Sequence, residues 1–577
     1  MILHSQDAIA HYTALGAWGG QTLHGLLAAR CAEAPDTLAL ADPPNKGVWV
    51  DCPVRRLTWR EVLDGTARIA FALHRAGLRR DDVILTQLPN ISEFAMLHLA
   101  CAQLGVVISP IHVQQRENEV LRCGEIAQAR ALVTLRRIGK SDQVAFAQSL
   151  RDRHGCMLPV MWLEDLLAAG DAALLDEVNG VLREAARSLP VTANDIYSIC
   201  WTSGTEGSPK GVPRSHNNWQ AVARRIINGA GLRPGDVLLN PFPLVAVAGM
   251  TVLVPWLIQG GRLVLHQPSD LPVMLGQIRD EGAHYVCIAP ALLNRLLVDP
   301  GLVSAQDLRS LRVIGSGSGP IDAWTIREFK NRHGIEIVNF YGSNEGVGLT
   351  AGESRVPDPA KRAVLFPAAG RAGQAWGDDM AAHAITRLID PATGNEVTQP
   401  GTPGELAVKG PTVFPGYYRA PEKNAASFTP DGFFLTGDMF SLEVDEDPAR
   451  PYYRFMGRYK DIIIRGGMKI SPEELDALLI GHPKLREAAC CGWRDAIMGE
   501  KVGVVAVPAP GQQVTLDDIT AWLKKAGVAT YKLPEALACI DALPRNALNK
   551  VLRRDLRGLF DNVASTPGDE ARQPVAA

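Results

Sequence analysis

The sequence predicts an α/β protein: a large N-terminal domain of mixed and parallel sheets with packed helices, followed by a small α+β domain. Three observations predict it. The chain has 577 residues, 46% hydrophobic and 21% charged, which is ordinary globular composition and too long for a single compact core. Between about residues 80 and 340, β-rich apolar runs alternate with segments of helical periodicity. From about Arg458 onward the pattern changes to short strands between two well-capped helices.

The alternation is read element by element. "DVILTQL" precedes the helical "ISEFAMLHLACAQLG", "GRLVLH" precedes "DLPVMLGQIRDEG", and "LRVIGSGSG" precedes "DAWTIREFKNRHG", which leads into "IEIVNFYGSNEG". Strands separated by helices of this length imply parallel pairing with crossover helices on the sheet. The uncharged run "PFPLVAVAGMTVLVPWLI", 241–258, is nearly long enough to span a bilayer. Pro243, Gly249 and Pro255 interrupt it, and strands are expected on both sides, so it is read as a buried helix with an irregular entry. In the C-terminal part, Ser471 with Glu474 and Thr515 with Asp518 have capping-box spacing, and Lys524 and Lys525 stand where a helix dipole favours cations. "EAACCGW" and "VGVVAVP" are expected strands between these helices.

Bulk properties exclude several classes. A formal charge of -3 with scattered Lys and Arg offers no basic field for nucleic acid. Ten Cys without metal-type pair spacing read as reduced thiols, and the start "MILHSQDAIAHY" lacks a charged then apolar leader. A cytoplasmic protein with no transmembrane segment is expected. A monomer or a homodimer is expected.

Three polar stretches each follow a predicted strand: Ser203 to Gly211, Gly315 to Pro320, and Tyr341 to Gly346. They are expected to converge at the carboxyl edge of the sheet, where open α/β sheets hold ligands. The first, within "CWTSGTEGSPKG", is rich in Gly and hydroxyl residues with one Lys, a composition suited to a terminal phosphate. Gly211 stands where a Walker loop needs a hydroxyl after its Lys, so an ordinary P-loop kinase is disfavoured.

"WTSGTEGSPKGV", "FYGSNEG", "FFLTGD", "GRYKDIIIRGGMKISPEEL" and "LPRNALNK", in that order, resemble the adenylate-forming superfamily of acyl-CoA synthetases, aryl-acid ligases and luciferases. The resemblance covers nearly the whole chain and implies joining of a carboxylate to AMP with loss of pyrophosphate, then acyl transfer to a thiol. ATP and Mg2+ are the implied cofactors and CoA the implied co-substrate. Two anionic reactants must meet, so cationic groups and a metal are needed where charge develops.

Residue by residue, the resemblance implies that Thr202, Ser203, Gly204, Thr205, Gly207 and Lys210 form the loop over the β- and γ-phosphates, and that Glu345 holds magnesium. Tyr341 would stack on adenine, beside Gly342, Ser343 and Asn344. Gly317, Ser318 and Gly319 would give close backbone approach to the base. Asp438 would accept from the ribose hydroxyls, and Arg458 would contact ribose or phosphate. Lys550 would reach the carboxylate and α-phosphate during adenylation only. The residues implied in catalysis are thus Lys550, Glu345, Thr202 and Lys210. Val245, Ala246, Val247, Gly249 and Gly346 would line the acid pocket, and Gly466 and Gly467 the thiol tunnel. The implied division is 1–457 for ATP and acid binding, a hinge at 458–461 around Lys460, a mobile domain at 462–561, and a disordered tail at 562–577.

The chain departs from the family pattern at Glu206, Asn344, Asn546 and Asn549, none of which removes a catalytic charge. Val245 and Ala246 stand where many relatives have an aromatic and a His, so the wall is small and apolar, and an apolar aliphatic, alicyclic or aromatic acid is expected. The leading reading is an acid–CoA ligase. The alternatives are an aryl-acid ligase loading a separate carrier protein, which the N-terminal stretch resembles, and, from other classes, a non-catalytic nucleotide- or acyl-binding protein or a luciferase-like oxygenase.

Overall fold

The computed structural model describes residues 1–155, 157–202, 209–267, 270–299, 301–303, 307–317, 319–376, 383–465, 468–495, 498–526, 528, 530–545, 551–560 and 575–576. The chain divides into two compact units. The first comprises Met1–Ala363, Ala369–Ile385 and Val408–Phe434, and the second Val364–Ala368, Thr386–Ala407 and Leu435–Ala577.

The first unit carries two sheets rather than one. A six-stranded sheet runs, in spatial order, Lys210–Ser215, Ile196–Thr202, Val107–Pro110, Val83–Gln87, Ala131–Thr134 and Val160–Trp162. Its pairings are parallel except at the outermost strand, where Lys210–Ser215 returns antiparallel beside Ile196–Thr202. An eight-stranded sheet runs Gly348–Ala351, Glu336–Gly342, Val313–Gly317, Tyr285–Cys287, Val237–Asn240, Arg262–Leu265, Leu38–Ala41 and Arg56–Thr58. It too is parallel at its centre and antiparallel at both edges.

The three polar stretches therefore do not share one sheet edge. Ser203 to Gly211 joins two antiparallel strands of the first sheet, while the other two stretches belong to the second. Two of them begin later than expected, since Gly315 to Gly317 and Tyr341 with Gly342 are strand residues, and the first ends earlier, since Lys210 and Gly211 already belong to the returning strand. Gly315 and Gly317 have packing reasons, since a Cβ would stand 2.7 Å from the Phe340 ring and 2.6 Å from its carbonyl oxygen respectively.

The apolar run forms the helix Val247–Gln259, buried along most of its length with Pro255 inside it. It packs against the helix His216–Ala230, and Trp256 stacks on Trp59 at 4.7 Å. Among the described residues no helix is long and apolar enough to cross a membrane.

In the second unit, the hairpin Leu485–Asp495 and Gly499–Pro508 is covered on both faces. The helices Pro472–Leu479 and Leu516–Lys525 bury Cys490, Val502 and Val504, whereas Leu556 and Phe560 bury Cys491 and Val505. Adjacent cysteines thus face opposite cores, as period-two alternation requires. All nine described cysteines are free. The box at Thr515 and Asp518 forms in both directions. That at Ser471 forms in one only: its hydroxyl accepts from Glu474 N, but the Glu474 carboxylate turns to Lys532 Nζ at 2.7 Å. A cation in reach outcompetes a backbone N–H for the carboxylate. Of the tail 562–577, only Val575–Ala576 lies within the described residues, paired with Ala538 and Cys539.

Candidate active site

Glu345 sits in a tight turn that joins the strands Glu336–Gly342 and Gly348–Ala351. Ser343 N donates to Val347 O and Gly346 N to Ser343 O. Gly346 has φ +97°, and a Cβ there would meet the Thr412 carbonyl and stand 2.5 Å from Arg214 Nη1, so the turn requires glycine. Its backbone is held from two sides: Arg214 Nη1 donates to Asn344 O at 2.8 Å, and Phe414 N donates to Glu345 O at 2.9 Å.

Glu345 is 9% exposed, and one carboxylate oxygen accepts from the Tyr417 hydroxyl at 2.9 Å. Burial, then the nearby carboxylate, pushes the Tyr417 phenol well above its ordinary range, so it remains a donor. Lys210 Nζ lies 5.0 Å from the centre of the same ring, within cation–π range. Tyr417 thus connects Lys210, at the start of its strand, with the carboxylate of the turn. Arg214, fully buried on the strand that Lys210 begins, has its pKa lowered to about 10 by burial. The Trp219 ring at 4.8 Å and the bond to Asn344 O offset part of that cost.

The expected acid wall is fastened by side chains from elsewhere in the fold. Asn90 Nδ2 donates to Asn240 O and Phe242 O, and Asn90 Oδ1 accepts from Leu244 N. His98 is buried with its pKa lowered to about 4, so it is neutral; Nε2 donates to Leu244 O, which leaves Nδ1 to accept from Tyr197. Asn344 Oδ1 accepts from Val247 N at 2.9 Å. Val245 and Gly249 are buried, and Ala246 and Val247 half-buried. A Cβ on Gly249 would stand 2.7 Å from the Pro243 carbonyl carbon, so the wall closes over the helix only with glycine there.

In the second unit Asp438 and Arg458 are cross-strand partners, with Nε 3.6 Å from Oδ1. Tyr459 and Lys460 lie in an exposed turn in which Asp461 N and Ile462 N donate to Arg458 O. Ser203, Gly204, Thr205, Gly207, Ser318, Gly466, Gly467 and Lys550 lie outside the described residues, as do the departures Glu206, Asn546 and Asn549. Thr202 and Gly319 are described, Thr202 ending its strand opposite Lys210. Sequence reasoning missed Tyr417, Arg214, Asn90 and His98. Each acts on a partner 72 or more residues away, and no local pattern marks it.

Two mixed sheets with packed helices, a lysine and a nearly buried carboxylate joined by one tyrosine, and an apolar helix entry beside them make up an α/β enzyme scaffold. The chain belongs to the adenylate-forming superfamily: the AMP-binding enzyme family matches residues 27–418, and the AMP-binding enzyme C-terminal domain matches 474–550. It is 30% identical to a salicylyl-CoA synthase / salicylate adenylyltransferase of a Streptomyces species, over 97% of this chain and 98% of that protein. It is 28% identical to the medium-chain fatty-acid–CoA ligase of Escherichia coli, over 95% and 92%. Among solved structures, ATP-bound MatB from Rhodopseudomonas palustris superposes with a TM-score of 0.77 at 25% identity, covering 94% of this chain and 100% of that one.

Proposed function

We propose that the protein is an ATP- and magnesium-dependent acid–CoA ligase that makes an acyl-adenylate and pyrophosphate, then a CoA thioester, from an apolar aliphatic, alicyclic or aromatic acid. The observation that carries this reading is the Lys210, Tyr417 and Glu345 group, which sets a cation and a carboxylate at the end of a phosphate-type loop. Glu345 offers a single carboxylate, which fits a magnesium ion that would arrive with nucleotide phosphates as its other ligands. Bound there, the ion would neutralise charge on the phosphates. Lys210 and the loop from Thr202 would orient them, Tyr341 and the strand end at Gly317 would bind the base, and Asp438 with Arg458 the ribose. Lys550 would bridge carboxylate and α-phosphate, with 462–561 turning about 458–461 between half-reactions, in the cytoplasm.

Preference for an apolar acid rests on the wall. Phe242 O, Leu244 N, Leu244 O and Val247 N already have side-chain partners. A hydroxyl placed against Val245 and Ala246 would lose water without an evident replacement. The carrier-loading reading has its own support in the salicylate adenylyltransferase likeness.

The test is acid-dependent pyrophosphate release from ATP and magnesium across aliphatic, alicyclic, aromatic and hydroxybenzoic acids, with and without CoA, with products weighed by mass spectrometry. A CoA thioester of an apolar acid is the expected product. Adenylate without CoA transfer would replace this reading with carrier loading. A large advantage for hydroxybenzoates would overturn the apolar preference, and turnover with no acid would favour a non-catalytic binder.

A further inference from the structure

Asn344 stands at a junction that the nucleotide-contact expectation did not foresee. Its side chain has protein partners at both ends: Oδ1 accepts from Val247 N at 2.9 Å, and Nδ2 donates to Trp201 O at 3.3 Å. Those partners fix the orientation of the amide, because an N–H must meet the oxygen and a carbonyl must meet the NH2. Val247 is the first residue of the wall helix, whose preceding residue, Ala246, provides no side-chain cap. The first N–H groups of a helix have no partner within it, so Asn344 caps this helix from 97 residues away. Trp201 immediately precedes Thr202, where the expected phosphate loop begins. The Asn344 carbonyl is in turn held by Arg214, on the strand that returns from that loop.

We propose that Asn344 is a positioning residue that ties the entry of the acid-wall helix to the root of the phosphate-type loop, so that acid and nucleotide are aligned through one amide. This rests on the reading of the protein as an acid-adenylating enzyme. A Thr hydroxyl can both donate and accept, but from a single atom one bond nearer the backbone, whereas the amide sets its acceptor and its donor on separate atoms, as the two partners Val247 N and Trp201 O require.

The proposal separates two substitutions. Asn344→Ala removes both bonds. Asn344→Asp keeps an acceptor for Val247 N, at a helix end that favours an anion, but sets an oxygen against the Trp201 carbonyl. Steady-state pyrophosphate release is measured with the best acid, together with hydrogen exchange of the peptide containing Val247 in the full chain. Asn344→Ala is expected to raise the acid KM about fivefold, lower kcat, and speed exchange at Val247. Asn344→Asp is expected to lower kcat with the acid KM within about twofold of the parent and Val247 still protected. Equal acid KM values for the two variants, or unchanged exchange in Asn344→Ala, would overturn the proposal. If the parent protein turns over no acid, the functional reading fails, and the exchange result alone still decides whether Asn344 caps the helix.

Discussion

At the scale of single residues, Tyr417 carries the most testable chemistry. Its hydroxyl donates to a nearly buried carboxylate, and its ring carries the Lys210 charge. Tyr417→Phe keeps the ring and deletes the donor, leaving a Glu345 oxygen short of a partner, a loss typically worth ~1–3 kcal/mol. The expected outcome is about a tenfold fall in adenylation and a raised magnesium requirement, read from pyrophosphate release against magnesium concentration. Direct binding of ATP and manganese measured by calorimetry should weaken in parallel. Unchanged metal dependence would show that Tyr417 does not position Glu345.

At the scale of elements, the helix Pro472–Leu479 and the short helix Arg553–Arg557 are fastened by a charged cluster. Arg553 donates to Asp476 at 2.6 Å, to Glu473 at 3.2 Å and to Cys490 O at 2.6 Å. Burial raises the Glu473 carboxyl to about 7; Arg553 opposes the shift, while Asp476 and Asp461 add to it. A folded-state pKa above the unfolded value of about 4.5 means the native state binds more protons across that window. Stability from this group is complete below about pH 4.5 and is lost as pH rises through about 7. Glu473→Gln should therefore flatten the decline between those limits, by roughly 2 kcal/mol in denaturant titrations at several pH values. A decline of the same size in the variant would assign it to other groups.

The same scale shows what local patterning could and could not reveal. The helices Ser92–Leu104, Leu271–Glu281 and Ala323–His333 each follow the strand expected of them, because apolar period and terminal Gly are local signals. That the strand ending at Thr202 and the strand ending at Gly317 lie in different sheets has no local signature. Register between distant strands is set by packing and not by periodicity. The one-sided cap at Ser471 has a similar origin, since Lys532 is 58 residues from Glu474.

At the scale of the whole molecule, the proposed reaction divides between half-reactions. Lys550→Ala should abolish acid-dependent pyrophosphate release yet leave CoA transfer from a supplied acyl-adenylate largely intact, with each half-reaction assayed separately. Survival of both would remove Lys550 from the proposed mechanism.

The sequence by itself determined the fold class and the order of motifs, and from those the family, because strand and helix periods, glycine turns and short chemical motifs are all written locally. It singled out Glu345, Lys210 and the apolar run at 245–249 as residues of interest, without showing what holds them. Only the tertiary structure decided that Tyr417 joins Lys210 to Glu345, that Arg214 braces the turn from behind, and that Asn90, His98 and Asn344 fasten the wall. These are contacts between residues far apart in sequence, and a buried hydrogen bond is specified by where packing brings its two ends together.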